Sequence, residues 1–562
     1  MVLSFGPLWS QTEFFVDGTN GSDQNDGLSL QTAWATIQKS CDEAIPNSIV
    51  KIRGGIYHEN VQVNVSGTGG NPIVFTNYPG ETVIIDGEGT NGTSLIRMTN
   101  RSWLHFENLE LRNLVRNNAR GIMVETSQNG YARNLSFKNI NIHGIRFTAE
   151  DDVIPASGQN ARGFVVSGRG GGIEYLTIQD CEIHHNVTGK SEALTLNGNI
   201  EDFLIEGCDI YDNTNIGICL AGNYGVCNDP LLDKARNGIV RNNTCHGNVS
   251  PLASSAGIYV DGGENIVIER NSSYQNGTGI SVGCEKNGVT QFITVKNNMI
   301  YDNLGRGLAV GGYTMLTTGE VLYSTFRNNT LYQNNSELGY ASEIHVSKAS
   351  QCVFEDNIVF SNDQNIVLSV EAKFPQANNL FNYNCLYTPS GNASDLNIYW
   401  HELSFAALPE FQQALGQEIN SIYAHPGWAQ SEPQMLAANS LCVDSGNPDL
   451  EIPAGELDFM GNPRLSGVVD IGAFEFDPQL GLETVRAQRG IYPNPLTGNL
   501  LHSPTLLSNA TFRLFDMGGR QVAEIGHLSG HSIQLPGIGA GLYLYQISQD
   551  GKTTGMGKLA IR

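Results

Sequence analysis

Two carboxylates stand where chemistry on a polymer could occur. Asp261 closes the strand AGIYVDGG, and Glu285 follows the next equivalent strand in GISVGCEKN. If the two strands stack as neighbouring rungs, one rung plus two residues separates their Cα atoms by roughly 8 Å. Carboxyl groups near that spacing can act as acid and base, or as acid and nucleophile, across a glycosidic bond. Tyr259 and His345 rise from the same aligned strands, with Lys286, Arg306 and Glu343 at strand ends and Asn197 on the floor. Lys234 and Arg236 in DPLLDKARNG supply cationic groups. Together with Tyr259, Arg306 and His345 they offer the base and the charge neutralisation that β-elimination from a uronate requires. Asp229 and Asp233 in the same loop are candidate oxygen ligands for Ca²⁺, a hard cation; the sequence itself requires no cofactor.

The alignment behind these positions comes from an internal repeat. From residue 173 to about 360 the chain returns to one pattern: an alternating strand, a turn, a second short strand, an Asn, a loop, then Gly-Ile-x-Val. The closing residues are Asn186, Asn213, Asn248, Asn276, Asn303, Asn334 and Asn362. Five residues earlier stand Cys181, Cys208, Asn243, Asn271, Asn298, Asn329 and Asn357. A period of tens of residues made of period-two strands implies a parallel β-helix, one coil per repeat. Equivalent Asn side chains then stack from rung to rung, and Ile258/Val260, Ile280/Val282 and Leu308/Val310 point into the core. The outward side chains of the third strands line a groove, and the loops at 149–162 and 222–237 wall it.

The whole chain has 562 residues, 32 Lys+Arg against 56 Asp+Glu and a formal net charge of -24, a balance that argues against nucleic acid as a partner. No apolar run approaches the ~20 residues of a membrane-spanning helix. Residues 1–11 read as part of a signal peptide. Of the 10 cysteines, Cys181, Cys208, Cys245 and Cys385 fall at small apolar core positions, while Cys219 and Cys227 flank a loop and could pair.

The opening FFVDGTNGSDQNDG, TAWATIQKSCDEAI and VKIRGGIYHENVQV resembles the pectin-lyase-like right-handed parallel β-helix superfamily over residues 12–400 or so. That resemblance implies an all-β solenoid, with TAWATIQKSCDEAI as an N-terminal capping helix, among polysaccharide lyases, glycoside hydrolases, epimerases and non-enzymatic surface proteins. LDFMGNPRLSGVVDIGAFEF, within a closing segment at 400–476, resembles the end of surface-anchored bacterial β-helices. After a linker at 477–489, YPNPLTGNL, DMGGR, GLY and the terminal KLAIR strand resemble a Bacteroidetes-type C-terminal sorting domain of type IX secretion, expected as a small β-sandwich at 490–562. This resemblance implies export through the periplasm, release or anchoring at the cell surface, and the type IX machinery as a partner.

No family's catalytic set transfers. The Asp-rich calcium cluster and following Lys of the family 9 pectate-lyase type are missing, as are the N-G-E-x-E-I-I-S stretch of alginate lyases and the D-P-H of mannuronan epimerases. The expectation is therefore a secreted, monomeric enzyme that cleaves an extended polysaccharide, by hydrolysis or elimination. The alternative is a non-catalytic surface β-helix for glycan binding or adhesion. The outward positions are too irregular for an ice-binding array.

Overall fold

In the computed structural model, residues 11–477 are described apart from 152, 254, 313–315, 338, 375–376 and 430–433. In the C-terminal unit, residue 496 and residues 500–561 are described apart from 517–519, 540 and 550–551. The chain divides into two compact units, the first ending at Phe476.

The first unit is a parallel β-helix with three sheets running along its length. The groove sheet contains Val61–Val63, Ser94–Thr99, Ala119–Glu125, Ile218–Ala221, Ala256–Asp261, Thr278–Gly283, Leu308–Val310 and Ile344–Val346, with the starts of Ala161–Gln179 and Leu194–Glu206. Those two long strands continue into the second sheet, joined there by Ala235–Arg241, Glu264–Glu269 and Val289–Lys296. Short strands such as Asp209–Tyr211, Thr244–His246 and Ser272–Tyr274 make the third. Register is continuous along the groove sheet: Thr195, Cys219, Tyr259, Ser281, Ala309 and His345 face outward on successive rungs. Their neighbours Ile258, Val260, Ile280, Val282, Leu308 and Val310 are buried. Alternation alone forces this, because strand side chains have period two.

The core stacks like on like. Phe75, Phe106 and Phe137 lie parallel with centroids 4.8 and 5.7 Å apart, and Phe326, Phe354 and Phe381 repeat the device at 4.7 and 4.4 Å. Outside the third sheet, His143, His184, Tyr211, His246, Tyr274 and Tyr301 form a continuous ring stack at 4.8–5.0 Å.

Two buried asparagine ladders fix the turns. In one, each Nδ2 donates to the next Oδ1 from Asn186 through Asn213, Asn248, Asn276 and Asn303 to Asn334. In the other the series runs from Asn243 through Asn271, Asn298, Asn329 and Asn357 to Asn384. Each ladder ends on a buried glutamate: Asn334 donates to Glu343, and Asn384 to Glu418. Asn362, aligned with the first ladder in the sequence, stands outside it because Glu343 has taken that place; its amide reaches the Gln333 carbonyl instead. Asn298 sits mid-ladder, donating to Ile268, Lys296 and Asn329 and accepting from Asn271. Asn298→Ala should therefore cost about 2–3 kcal/mol, because buried donors and acceptors on both adjoining rungs lose their partners. Chemical denaturation of the first unit, read by far-UV circular dichroism, checks this.

The helix Ile37–Glu43 closes the N-terminal end, with Ile37, Ser40 and Cys41 buried and the Thr36 hydroxyl accepting from the Lys39 N–H. A second helix, Leu408–Leu415, packs Phe411 beside Trp400 and stops at Gly416 with φ 64°. The closing segment is tied to the solenoid by Glu456, which Lys296 and Arg327 contact at 2.7 and 2.8 Å.

In the second unit, the described strands Leu500–Asp516, Gln521–Gln534, Gly541–Gln549 and Lys552–Ile561 are joined in one antiparallel hydrogen-bonding order. The first two strands are long, and register shifts along their pairing bend the sheet over Leu501, Phe512, Leu514 and Ile533. No helix among the described residues is long and apolar enough to cross a membrane.

Candidate active site

Asp261 ends its strand where Gly262 turns the chain at φ 90°, and its carboxyl group is almost wholly buried at 2% exposure. Two donors hold it: the Glu285 backbone N–H at 2.6 Å and the Tyr224 hydroxyl at 2.5 Å. The same hydroxyl lies 3.3 Å from Glu285 Oε2. Tyr224 thus bridges the two acids, bringing one oxygen of each to the same hydroxyl. Lys286 lies over the Tyr224 ring, 4.9 Å from its centre. Tyr259 stands on the rung floor, and a Cβ on Gly283 would meet its hydroxyl at 3.3 Å, so the bare glycine leaves the phenol its place.

Burial, then the charge of Glu285, pushes the Asp261 carboxyl up to about 7. Glu285 is also raised, by burial and by Glu192, while the hydroxyls of Tyr224 and Tyr259 partly offset the rise. Burial and the same acids hold the Tyr259 phenol well above its ordinary range. A carboxyl that still carries its proton near neutral pH, beside a second carboxyl, is suited to acid-assisted bond cleavage.

Tyr224 and Glu192 escaped the sequence reading. Tyr224 sits in the 222–237 loop already identified as a wall, but only the folded loop aims it. Asp233 does that folding: its two oxygens accept the backbone N–H groups of Gly225 and Cys227 at 2.6 and 2.8 Å. Glu192 receives the Thr195 hydroxyl at 2.8 Å and lies 3.9 Å from Arg162. Its signal was positional, two residues ahead of the first inward side chain of its strand, Leu194.

That position forms a row along one margin of the groove. Arg120 and Arg162 pair directly in register, Glu192 follows, and beyond Ala256 and Thr278 comes Arg306. Burial disfavours the charge on Arg120 and on Arg306. The Arg306 side chain makes no hydrogen bond or ion pair with the described residues, although the charge of Glu371 favours its own, and its Nε is buried without a partner. His345 lies three rungs from Tyr259, with Nε2 3.2 Å from Glu371, and Lys373 is equally close to that carboxylate. The acidic centre is thus flanked along the groove by cationic groups, which the net charge conceals.

The other candidates lie apart from this centre. Asn197 is two rungs from Asp261 on the same outward row, its Oδ1 buried and unpartnered. Lys234 pairs with Glu264 at 2.9 Å, and Arg236 with Glu201 at 2.9 Å, both at the entry to the second sheet. Glu343 faces the Asn turn and is fully buried. Asp229 accepts the Leu231 N–H, and no group of three or more His, Cys, Asp or Glu among the described residues is arranged to hold a metal. All ten cysteines are buried free thiols. Cys219 forms the floor beside the acids, whereas Cys227 faces the Gly170 carbonyl, and the two stay unbonded.

Comparison with known proteins gives consistent relatives. A family model described as the Pel9A-like, right handed beta helix region matches residues 14–156, and the secretion system C-terminal sorting domain matches residues 490–562. The sorting domain marks the chain for type IX secretion to the cell surface or the extracellular space. The uncharacterized protein YwoF of Bacillus subtilis is 30% identical over 427 residues, covering 74% of this chain and 88% of YwoF. Pectate lyase PEL9 of Emericella nidulans is 36% identical over 98 residues, 16% of this chain and 24% of that enzyme. Among solved structures, pectate lyase Pel9A aligns over 83% of this chain and 96% of its own, at 16% identity and a TM-score of 0.42.

Proposed function

We propose that this chain, which belongs to the same β-helix family as YwoF of Bacillus subtilis, is a secreted enzyme that hydrolyses an extended polysaccharide in the groove. The observation that carries this reading is the Tyr224 hydroxyl bridging Asp261 and Glu285. Asp261, raised to about 7, donates a proton to the leaving glycosidic oxygen, and Glu285 attacks or directs the attack on the sugar carbon. Tyr259 and the small residues Ser281 and Ala309 give the sugar rings a floor. Arg120, Arg162 and Arg306 along the margin favour a polymer that carries acidic groups.

Elimination is the second reading, favoured by the unpartnered Arg306 guanidinium near His345, with one group to neutralise a uronate and the other to take its proton. A panel of neutral and acidic polysaccharides separates the two. Hydrolysis yields new reducing ends without ultraviolet absorbance, elimination yields both, and neither signal across the panel would end the enzymatic reading.

Tyr224 gives a finer check. Its hydroxyl favours the ionised form of Asp261, so Tyr224→Phe should raise the Asp261 pKa further. Because the acid must be protonated to act, the alkaline limb of the pH–kcat profile should move to higher pH, with kcat about 10-fold lower at its optimum. An alkaline limb that stays in place would remove Tyr224 from the acid's surroundings.

A further inference from the structure

From Trp103 to Asn378, each coil enters the second sheet through one residue in the left-handed backbone region, and these residues form a column along the solenoid. At five coils the position holds Asn134, Asp202, Asn237, Asn265 or Asn378, with φ between 53° and 57°, and at one it holds Gln351 with φ 58°. Asn and Asp tolerate that conformation because their short polar side chains bond locally. At four coils the same position holds a bulky aromatic ring instead: Trp103 (φ 59°), Tyr175 (φ 56°), Phe292 (φ 56°) and Tyr323 (φ 49°). The pairing of Leu104, Leu135, Leu176 and Phe203 places Trp103, Asn134, Tyr175 and Asp202 on consecutive rungs. Tyr175 is 52% exposed, so core packing does not require its ring. Phe292 and Tyr323, half-exposed and stacked at 5.7 Å, continue the column farther along.

Trp103 and Tyr175 stand two rungs apart, about 10 Å. Between them lies a recess of about 460 Å³, lined also by His105, Asn134, Asp202 and Asn237. A strained backbone carrying a large ring into solvent is the mark of a binding surface rather than of a folding element. We propose that this recess is a second, non-catalytic glycan site, in which Trp103 and Tyr175 stack on sugar rings of a neutral oligosaccharide while the amides and Asp202 bond its hydroxyls. The ligand is neutral because no Lys or Arg lines the recess, and burial disfavours the charged form of the His105 imidazole. A nucleic acid would bring phosphates to Asp202 without a compensating cation. The site lies on a different face from Asp261 and holds polymer beside the groove.

The test exchanges both rings for the residue that neighbouring coils use. In the full chain carrying Asp261→Asn, so that no polymer is cut, Trp103→Asn and Tyr175→Asn are combined and run through native gels containing xylan, mixed-linkage β-glucan or galactomannan. The parent should be retarded by at least one of these gels. The combined variant should need at least ten times more polysaccharide for the same retardation, with a Tm equal to or above the parent's, since Asn relieves the backbone. Equal retardation of parent and variant, or a parent that no neutral gel retards, overturns the proposal. A Tm several degrees lower assigns the rings to folding and also overturns it. So does sedimentation showing that the substitutions abolish self-association instead, which would make the face a contact between two copies. Retention is read without cleavage, so failure of the hydrolytic reading leaves this test intact.

Discussion

Asp261→Asn should lower kcat about 1000-fold on any polysaccharide the chain cleaves, while the folded protein becomes no less stable. The amide preserves the size of the group: its oxygen takes the Glu285 N–H, and its NH2 can donate to the Tyr224 oxygen in place of accepting from it, but it cannot give up a proton to a leaving oxygen. Stability should move the other way. Asp261 ionises at about 7 in the folded chain against an ordinary 3.8, so above pH 4 its charge opposes folding, increasingly until the folded group ionises near pH 7. Asn removes that opposition, and Tm at pH 8 should rise relative to the parent while Tm at pH 4 stays the same. Turnover and thermal unfolding on one preparation check both halves. Full activity in the variant would end the assignment of Asp261 as the acid. A fall in Tm at pH 8 would mean that its negative charge is needed by the fold.

The repeat made most of the architecture legible before any coordinates. Period-two strands with an Asn at a fixed place fix which side chains face in, and the register of Tyr259, Ser281, Ala309 and His345 follows from alternation alone. Asp261 and Glu285 were legible for the same reason, since one ends and the other follows a strand whose alignment the repeat supplies. Tyr224 was not, because it lies in a loop that departs from the repeat, and only the hydrogen bonds of Asp233 to Gly225 and Cys227 turn it over the acids. Lys234 and Arg236 show the converse: cations in a wall loop look available in a sequence, yet each finds a carboxylate one rung away in the adjoining sheet. Glu343 is instructive in another way. A charged residue beside a groove strand reads as a groove residue until the turn carries it inward to finish a ladder.

That finishing role yields the second large effect. An Asn ladder is directional: each amide donates forward, so its last member needs an acceptor. Glu343 and Glu418 provide it at the ends of the two ladders, both fully enclosed, and burial raises their carboxyl groups to about 8 and about 7 from an ordinary 4.5. Below pH 4.5 both groups are protonated in folded and unfolded chains alike and add no pH dependence. Between pH 4.5 and 7–8 the unfolded chain releases protons that the folded chain keeps, so stability falls as pH rises; above pH 8 the loss is complete and constant. For Glu343 the gap corresponds to at most about 5 kcal/mol. Glu343→Gln combined with Glu418→Gln should leave stability at pH 4.5 unchanged and raise it by several kcal/mol at pH 8.5, because a Gln carbonyl can take both Asn334 donors at the first cap, and Asn384 Nδ2 with the Ser421 hydroxyl at the second. Glu343→Ala should destabilise at every pH, since the N–H and Nδ2 of Asn334 lose their acceptors inside the wall. Denaturant midpoints of the three proteins across that pH range decide the matter. A parent whose stability stays flat from pH 5 to 8.5 would show that the two caps are ionised throughout and that the ladders end on charge.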